Sequence, residues 1–260
     1  MTIPFRETGN GRPVVLLHAF PLDSSMWEPN AGAIAAEGFR VIMPDLPGFG
    51  RNSNFSEISS LDEMASGVKD LLDSLEVEEA IFAGLSMGGY VLFSFLRQFP
   101  NAVSAMVLCD TTAGSDTEEK RQGRYQLIER LTEEGSEVLV EVMLSNLLSS
   151  HTLRNNSGVA GTIAEKFRGC DWKAAAAALR GMALRPDSRD LLADCGLSTL
   201  LIYGEDDSVT GLDAAKEING LMRNSRLQVI PGAGHYSNVE KPQEFNKAFI
   251  SFLKSLPANN

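Results

Sequence analysis

The 260-residue sequence predicts an open α/β fold, a mostly parallel sheet flanked by helices, with a helical cap inserted between two strands. Three observations predict it. Short apolar or β-branched runs recur, each closed by a turn signal; helical periodicity fills most of the intervals between them; and one long interval breaks that alternation.

The runs are "PVVLLHA" (13–19), "RVIMPD" (40–45), "AIFAG" (80–84), "AMVLCD" (105–110), "TLLIYG" (199–204) and "LQVIPG" (227–232). They are apolar on both faces, as strands covered by helices on either side must be. In "LDEMASGVKDLLDSL" (61–75), Met64, Val68, Leu71, Leu72 and Leu75 fall on one helical face. From Thr112 to Cys195 there is no strand signal, only helix-forming sequence such as "GRYQLIERLTEEGSEVLVEVMLSNLLSS" and "DWKAAAAALRGMALR". A stretch of that length is a subdomain rather than a loop. The expected division is therefore a core of residues 1–111 and 196–260 with a helical cap at 112–195. The alanine run Ala174 to Ala178 reads as a helix of high intrinsic propensity.

Composition bounds the function. Hydrophobic residues make up 43% and charged residues 22%, ordinary for a soluble globular chain, and no apolar run is long enough to span a bilayer. The start "MTIPFRETGNGRP" lacks a basic stretch followed by an apolar one, so no signal peptide is read and a cytoplasmic location is the default. A net charge of -11 without a basic stripe repels phosphate backbones, so nucleic acid is not an expected partner. Self-association is left open. Cys109, Cys170 and Cys195 lie far apart in no metal-ligand spacing; they read as buried thiols, and no metal is expected.

Gly84-Leu85-Ser86-Met87-Gly88 places a hydroxyl between an apolar strand and a helical run, the setting of a nucleophile elbow. The turn forces the serine into a strained backbone conformation, and the glycines two residues to either side remove side chains that would collide there. The hydroxyl is then lifted out at the carboxyl ends of the strands, where open α/β folds bind ligands. The Met87 N–H, at the start of the following helix, can point at an oxyanion. A serine hydroxyl needs a base. Of His18, His151 and His235, the last lies in "PGAGHYSN" just past the final strand, at the same sheet edge as Ser86. The imidazole needs an acid to fix its tautomer. Asp207 in "LLIYGEDDSV" is the first choice, Asp206 the second, and Asp110 at the end of "AMVLCD" a rival.

These residues resemble the α/β-hydrolase family over nearly the whole chain, most closely its bacterial carboxylesterases and 3-oxoadipate enol-lactonases. "LLHAFPLDSSMW" is similar to the family's HG-F segment, "DLPGFGRNS" to its D-x-P-G-x-G-x-S loop, "GLSMGG" to its elbow, and "GAGHYSNVEKPQEF" to its histidine loop with a trailing E-x-P. The resemblance implies an eight-stranded sheet, a cap made from the insertion, a triad on Ser86, Asp207 and His235, and an oxyanion hole from the N–H groups of Met87 and Phe20. Two departures stand out. The family's usual glycine after the first histidine is Ala19, and so few residues precede "PVVLLH" that the first family strand is expected to be missing or shortened. Dehalogenases and epoxide hydrolases of the family carry aspartate where this chain has Ser86.

The expected function is hydrolysis of small carboxylic esters or lactones through an acyl-enzyme, without metal or organic cofactor. Trp172, Met143 and Met182 are expected to line an apolar substrate pocket under the cap, with Leu184 beside them; Arg124, Arg130, Arg180 or Arg185 could individually reach an anionic substrate. Rival readings keep the triad: a carbon–carbon bond hydrolase, a perhydrolase or a thioesterase. A different class of rival is a non-catalytic ligand receptor on the same fold.

Overall fold

In the computed structural model, which describes residues 3–257, the apolar runs pair into one sheet; residues 1–2 and 258–260, the outermost of the expected core, lie outside the described residues. The strands are β1 (Phe5–Thr8), β2 (Arg12–Leu17), β3 (Phe39–Pro44), β4 (Ala80–Leu85), β5 (Val103–Cys109), β6 (Thr199–Gly204) and β7 (Ser225–Ile230). Their order is β1-β3-β2-β4-β5-β6-β7, with β1 antiparallel to β3 and every other pair parallel. The central strands β4 and β6 are buried at every residue, which accounts for their unbroken apolar runs.

The edges depart from expectation. The described residues form seven strands rather than the eight of the family sheet, in keeping with the missing or shortened first strand expected from the short segment before "PVVLLH". β1 is only four residues, Phe-Arg-Glu-Thr, with two exposed polar side chains, and carries no run for a sequence reading to find. β7 begins two residues before the expected run and alternates between partly buried and exposed positions. It has a neighbour on one side only, so its polar Arg226 and Gln228 face solvent.

Helices α1 (Glu28–Ala35), α2 (Leu61–Ser74) and α3 (Met87–Gln98) connect the first strands. In α2, the Ser60 hydroxyl accepts the Glu63 N–H at 3.1 Å, a cap that fixes where the helix starts. Met64, Val68, Leu71 and Leu72 then fall on the buried face, as the periodicity predicts. Leu75 caps the far end and is half-buried.

Six helices lie between β5 and β6: α4 (Glu118–Glu134), α5 (Glu137–Leu147), α6 (Ser150–Asn155), α7 (Ser157–Gly169), α8 (Trp172–Ala183) and α9 (Arg189–Ala193). Gly135, at a φ of 74°, breaks what reads as one long helix into α4 and α5. All five alanines of the run in α8 are buried. Their smallness serves packing as well as propensity: a β-carbon on Gly48 would fall 2.6 Å from that of Ala174, and the Ser59 N–H reaches the Ala177 carbonyl at 3.2 Å. Helices α10 (Gly211–Leu221), α11 (Ser237–Glu240) and α12 (Pro242–Ser255) complete the core. No helix among the described residues is long and apolar enough to cross a membrane. Cys109 is buried as expected, whereas Cys170 and Cys195 are partly exposed because both sit in connections after helices α7 and α9.

One buried ion cluster joins α4, α8 and the loop after β5. Asp116 accepts from Arg185 at 2.6 Å and from Arg124 at 2.6 Å, while Arg185 also donates to the carbonyls of Gly114 and Met182 and lies over the Tyr90 ring. Burial pushes the Asp116 carboxyl up, but the hydrogen bonds and charges of the two arginines outweigh it and hold the carboxyl below its ordinary range. A carboxyl that titrates lower in the folded than in the unfolded chain stabilises above its unfolded value, near pH 4, and ceases to as pH falls through its folded value. Asp116→Asn is therefore expected to lower unfolding free energy at pH 7 by about 3 kcal/mol, because it leaves buried guanidinium charge uncompensated. Urea titrations should show the gap from wild type narrowing as the pH is lowered from 5 to 3.

Candidate active site

Between Ala80 and Leu96 every residue is buried except Ser86, which is partly exposed at the junction of β4 and α3. Its backbone sits at φ 52°, ψ -112°, a conformation that costs a side-chain-bearing residue about 1–3 kcal/mol. Hydrogen bonds hold it there. The Ser86 N–H donates to the Cys109 carbonyl at 2.9 Å, and the Ser86 carbonyl accepts from Gly89 N at 2.9 Å, Tyr90 N at 3.2 Å and the Thr111 hydroxyl at 2.9 Å. The flanking glycines are required by contact: a β-carbon on Gly84 would lie 2.4 Å from the Gly88 carbonyl oxygen, and one on Gly88 would lie 2.2 Å from that of Leu17. The Met87 N–H heads α3, where first-turn amides have no partner within the helix and the helix dipole is positive.

Parallel strands bring the other candidates to the same edge. The register pairs Leu85 with Cys109, Cys109 with Ile202 and Gly204 with Ile230, so the residues that follow β4, β5, β6 and β7 emerge side by side. His235 is almost fully buried, and its Nδ1 lies 3.1 Å from both carboxylate oxygens of Asp207. Burial pushes the Asp207 carboxyl up, yet the His235 charge and hydrogen bonds from His235, the Thr210 hydroxyl and the Val209 N–H hold it far below the ordinary aspartate range. An ionised carboxylate only accepts, so the Nδ1 carries a proton and Nε2 is the ring nitrogen left free to face a partner other than Asp207. Ser86 Oγ and the imidazole are not hydrogen-bonded to each other.

The rival acids are placed otherwise. Asp206 is exposed. Asp110 is fully buried, at a φ of 43°, with Oδ1 accepting the Gly204 N–H at 2.8 Å and Oδ2 accepting the Ser237 hydroxyl at 2.5 Å. Burial, and then the charge of Asp207, push its carboxyl well above the ordinary range. Of the other histidines, His151 is exposed. His18 is fully buried, with Nε2 accepting the Leu46 N–H at 3.0 Å and Nδ1 3.1 Å from the Ala19 carbonyl. An Nε2 that accepts an amide proton holds a neutral ring, and burial lowers the His18 pKa to match.

Phe20 follows β2 at this same edge. Its carbonyl accepts the Tyr236 hydroxyl at 2.7 Å, and its ring stands edge-on to Phe49. Ala19 is fully buried, and its N–H points to the Met26 sulfur at 3.1 Å. Trp172 opens α8 and Met143 lies within α5, both half-buried, whereas Met182 is buried against the Arg124 guanidinium. Leu184 is 62% exposed. Arg124 and Arg185 are engaged by Asp116, Arg130 by Glu134 and Glu141, and Arg180 by the Glu57 carbonyl. Each of the four arginines that could individually reach an anionic substrate thus has a partner within the protein. A cleft of about 460 Å³ runs past Pro21, Leu22, Phe49, Phe55 and Lys166, beside the Phe20 loop; Ser86, Asp207 and His235 do not line it. Among the described residues no group of three or more histidine, cysteine or acidic side chains is gathered as a metal ion would require.

An open parallel sheet that lifts a serine on a strained strand-to-helix turn, with a buried imidazole–carboxylate pair two strands away, defines a class of hydrolases. A profile of the alpha/beta hydrolase fold matches residues 12–242, and the chain belongs to that family. It is similar to a thermophilic esterase from Thermogutta terrifontis, solved with malate bound, at 35% identity and a TM-score of 0.94 over 97% of this chain and 93% of that one. It is also 29% identical to 3-oxoadipate enol-lactonase 1 of Acinetobacter baylyi, over 98% of this chain and 94% of the lactonase. A 2-hydroxy-6-oxo-6-phenylhexa-2,4-dienoate hydrolase of Comamonas testosteroni is 28% identical over 97% and 91% of the two chains.

Proposed function

We propose that the protein is a serine hydrolase that cleaves small carboxylic esters or lactones through an acyl-enzyme. The observation that carries the reading is the buried His235–Asp207 pair at the sheet edge where Ser86 is held in strain. In this reading His235 Nε2 takes the Ser86 proton as the hydroxyl attacks the carbonyl. Asp207 stabilises the resulting imidazolium, and the N–H groups of Met87 and Phe20 receive the oxyanion. His235 then protonates the leaving alcohol and activates the water that releases the acid. Each oxyanion donor in such a site contributes about 3–4 kcal/mol to transition-state stabilisation. No metal or organic cofactor enters the sequence of steps.

The test is a panel of p-nitrophenyl esters, lactones, thioesters and vinylogous diketones. Turnover of acetate and butyrate esters is expected to exceed that of palmitate in kcat/KM, because the segment between β5 and β6 has no long apolar stretch to serve as an interfacial lid. A higher value for palmitate contradicts that expectation. The Comamonas relative supports a second reading, carbon–carbon bond hydrolysis on the same triad, and faster cleavage of the diketone than of any ester selects it. A single slow turnover with a ligand-dependent rise in Tm selects a receptor.

Residues 112–195 are, in this reading, a cap that governs specificity rather than chemistry, since Ser86, Asp207 and His235 all lie outside it. Substitution of Trp172 or Met143 by alanine is expected to reorder the substrate panel while leaving the rate of Ser86 phosphonylation by a small fluorophosphonate within about threefold. Equal losses in both assays contradict the division. The core and cap boundaries, the small-molecule substrate and a cytoplasmic location belong to the same proposal.

A further inference from the structure

The E-x-P segment after the histidine loop has no part in the chemistry above, yet its glutamate is buried at the meeting of the two. Glu240 Oε1 accepts the N–H of Gly234, the residue before His235, at 2.9 Å. Its Oε2 accepts the Ser149 N–H at 2.9 Å and the Thr152 hydroxyl at 2.6 Å, both at the start of α6. The approach is close enough that a β-carbon on Gly234 would fall 2.6 Å from Ser149 N. Two more bonds tie the same corner to the loops of the candidate triad: His235 N–H to the Leu147 carbonyl at 2.9 Å, and the Ser208 hydroxyl to the Asn146 carbonyl at 2.9 Å.

We propose that Glu240 is a positioning residue that fastens the α5–α6 corner to the backbone of His235 and so sets the imidazole against Ser86. This rests on the serine-hydrolase reading. The chemistry requires a carboxylate, because each oxygen faces a backbone N–H, which can only donate. A glutamine of the same shape turns its NH2 toward either Gly234 N or Ser149 N, whichever way the amide is set, and one of the two attachments is lost. A displacement of the imidazole by a fraction of an ångström lowers the population of attack geometry without touching the groups that bind substrate.

The test compares Glu240→Gln and Thr152→Val with wild type, well below their melting temperatures, in kcat and KM for p-nitrophenyl acetate and in the downfield proton resonance of the His235 Nδ1–H. For Glu240→Gln, kcat is expected to fall about tenfold to a hundredfold with KM within about twofold, and the resonance to shift or broaden. Thr152→Val leaves both backbone N–H attachments of Glu240 in place and removes the hydroxyl that donates to Glu240 and accepts from the Ser149 hydroxyl at 3.1 Å, so the same changes are expected at several-fold in kcat. It decides the matter if the glutamine variant does not fold. A lower Tm with kcat and the resonance unchanged in a folded variant means that Glu240 serves stability alone and overturns the proposal. If wild type turns over no ester, the serine-hydrolase reading fails, and an unmoved resonance then independently overturns the role of Glu240.

Discussion

Ser86→Ala is expected to lower kcat on p-nitrophenyl acetate by about six orders of magnitude, and His235→Ala by about as much, with the double variant no worse than either. In the proposed mechanism the nucleophile and base act as one unit, so removing the second after the first costs nothing further. Folding should survive both changes. Ser86→Gly should be more stable than wild type by about 1 kcal/mol, because glycine relieves the strain of a φ of 52° that serine bears. A variant that loses activity while gaining Tm indicates strain retained for the reaction rather than for the fold.

Asp207→Asn is expected to reduce kcat by about four orders of magnitude, since an amide in place of the carboxylate can turn its NH2 to Nδ1 and select the wrong imidazole tautomer. Asp110→Asn should cost less than about tenfold. Burial and the charge of Asp207 drive the Asp110 carboxyl well above the ordinary range, which favours its uncharged form, and an amide is a near isostere of that form. The asparagine carbonyl can still accept from Gly204 N, and its NH2 can donate to the Ser237 hydroxyl once that hydroxyl turns. Asp206→Asn, on an exposed side chain, should change nothing measurable. Measuring kcat for the three variants, with Tm as the folding control, ranks the acids directly; a crippled Asp110 variant beside an active Asp207 variant moves the acid to the end of β5.

The central strands were legible because a strand covered on both faces is buried at every position, as Ala80–Leu85 and Thr199–Gly204 are, and so is apolar almost throughout. Edge strands carry no such constraint. β1 therefore left no signal, and β7, whose outer face is wet, was read late and as buried. At the site, Ser86 was legible because its glycines are local requirements of a turn, and His235 because it follows the last strand. The preference for Asp207 over Asp206 came from the family resemblance, since adjacent residues on an extended turn diverge and residue chemistry alone does not tell which faces the imidazole. Pairings across long separations were equally invisible: Asp116 binds Arg185 from 69 residues away. Glu240 was visible as part of a motif, but its three donors come from a loop and a helix start that the sequence does not juxtapose.

The proposed role of Ser86 as the nucleophile is tested by the intact mass of the protein after brief exposure to a stoichiometric alkyl fluorophosphonate, followed by peptide mapping. A single adduct per chain is expected on the peptide containing Ser86, with loss of esterase activity in proportion to labelling and no adduct on Ser86→Ala. An adduct on a different residue, or full turnover by a protein that carries the label on Ser86, would contradict it.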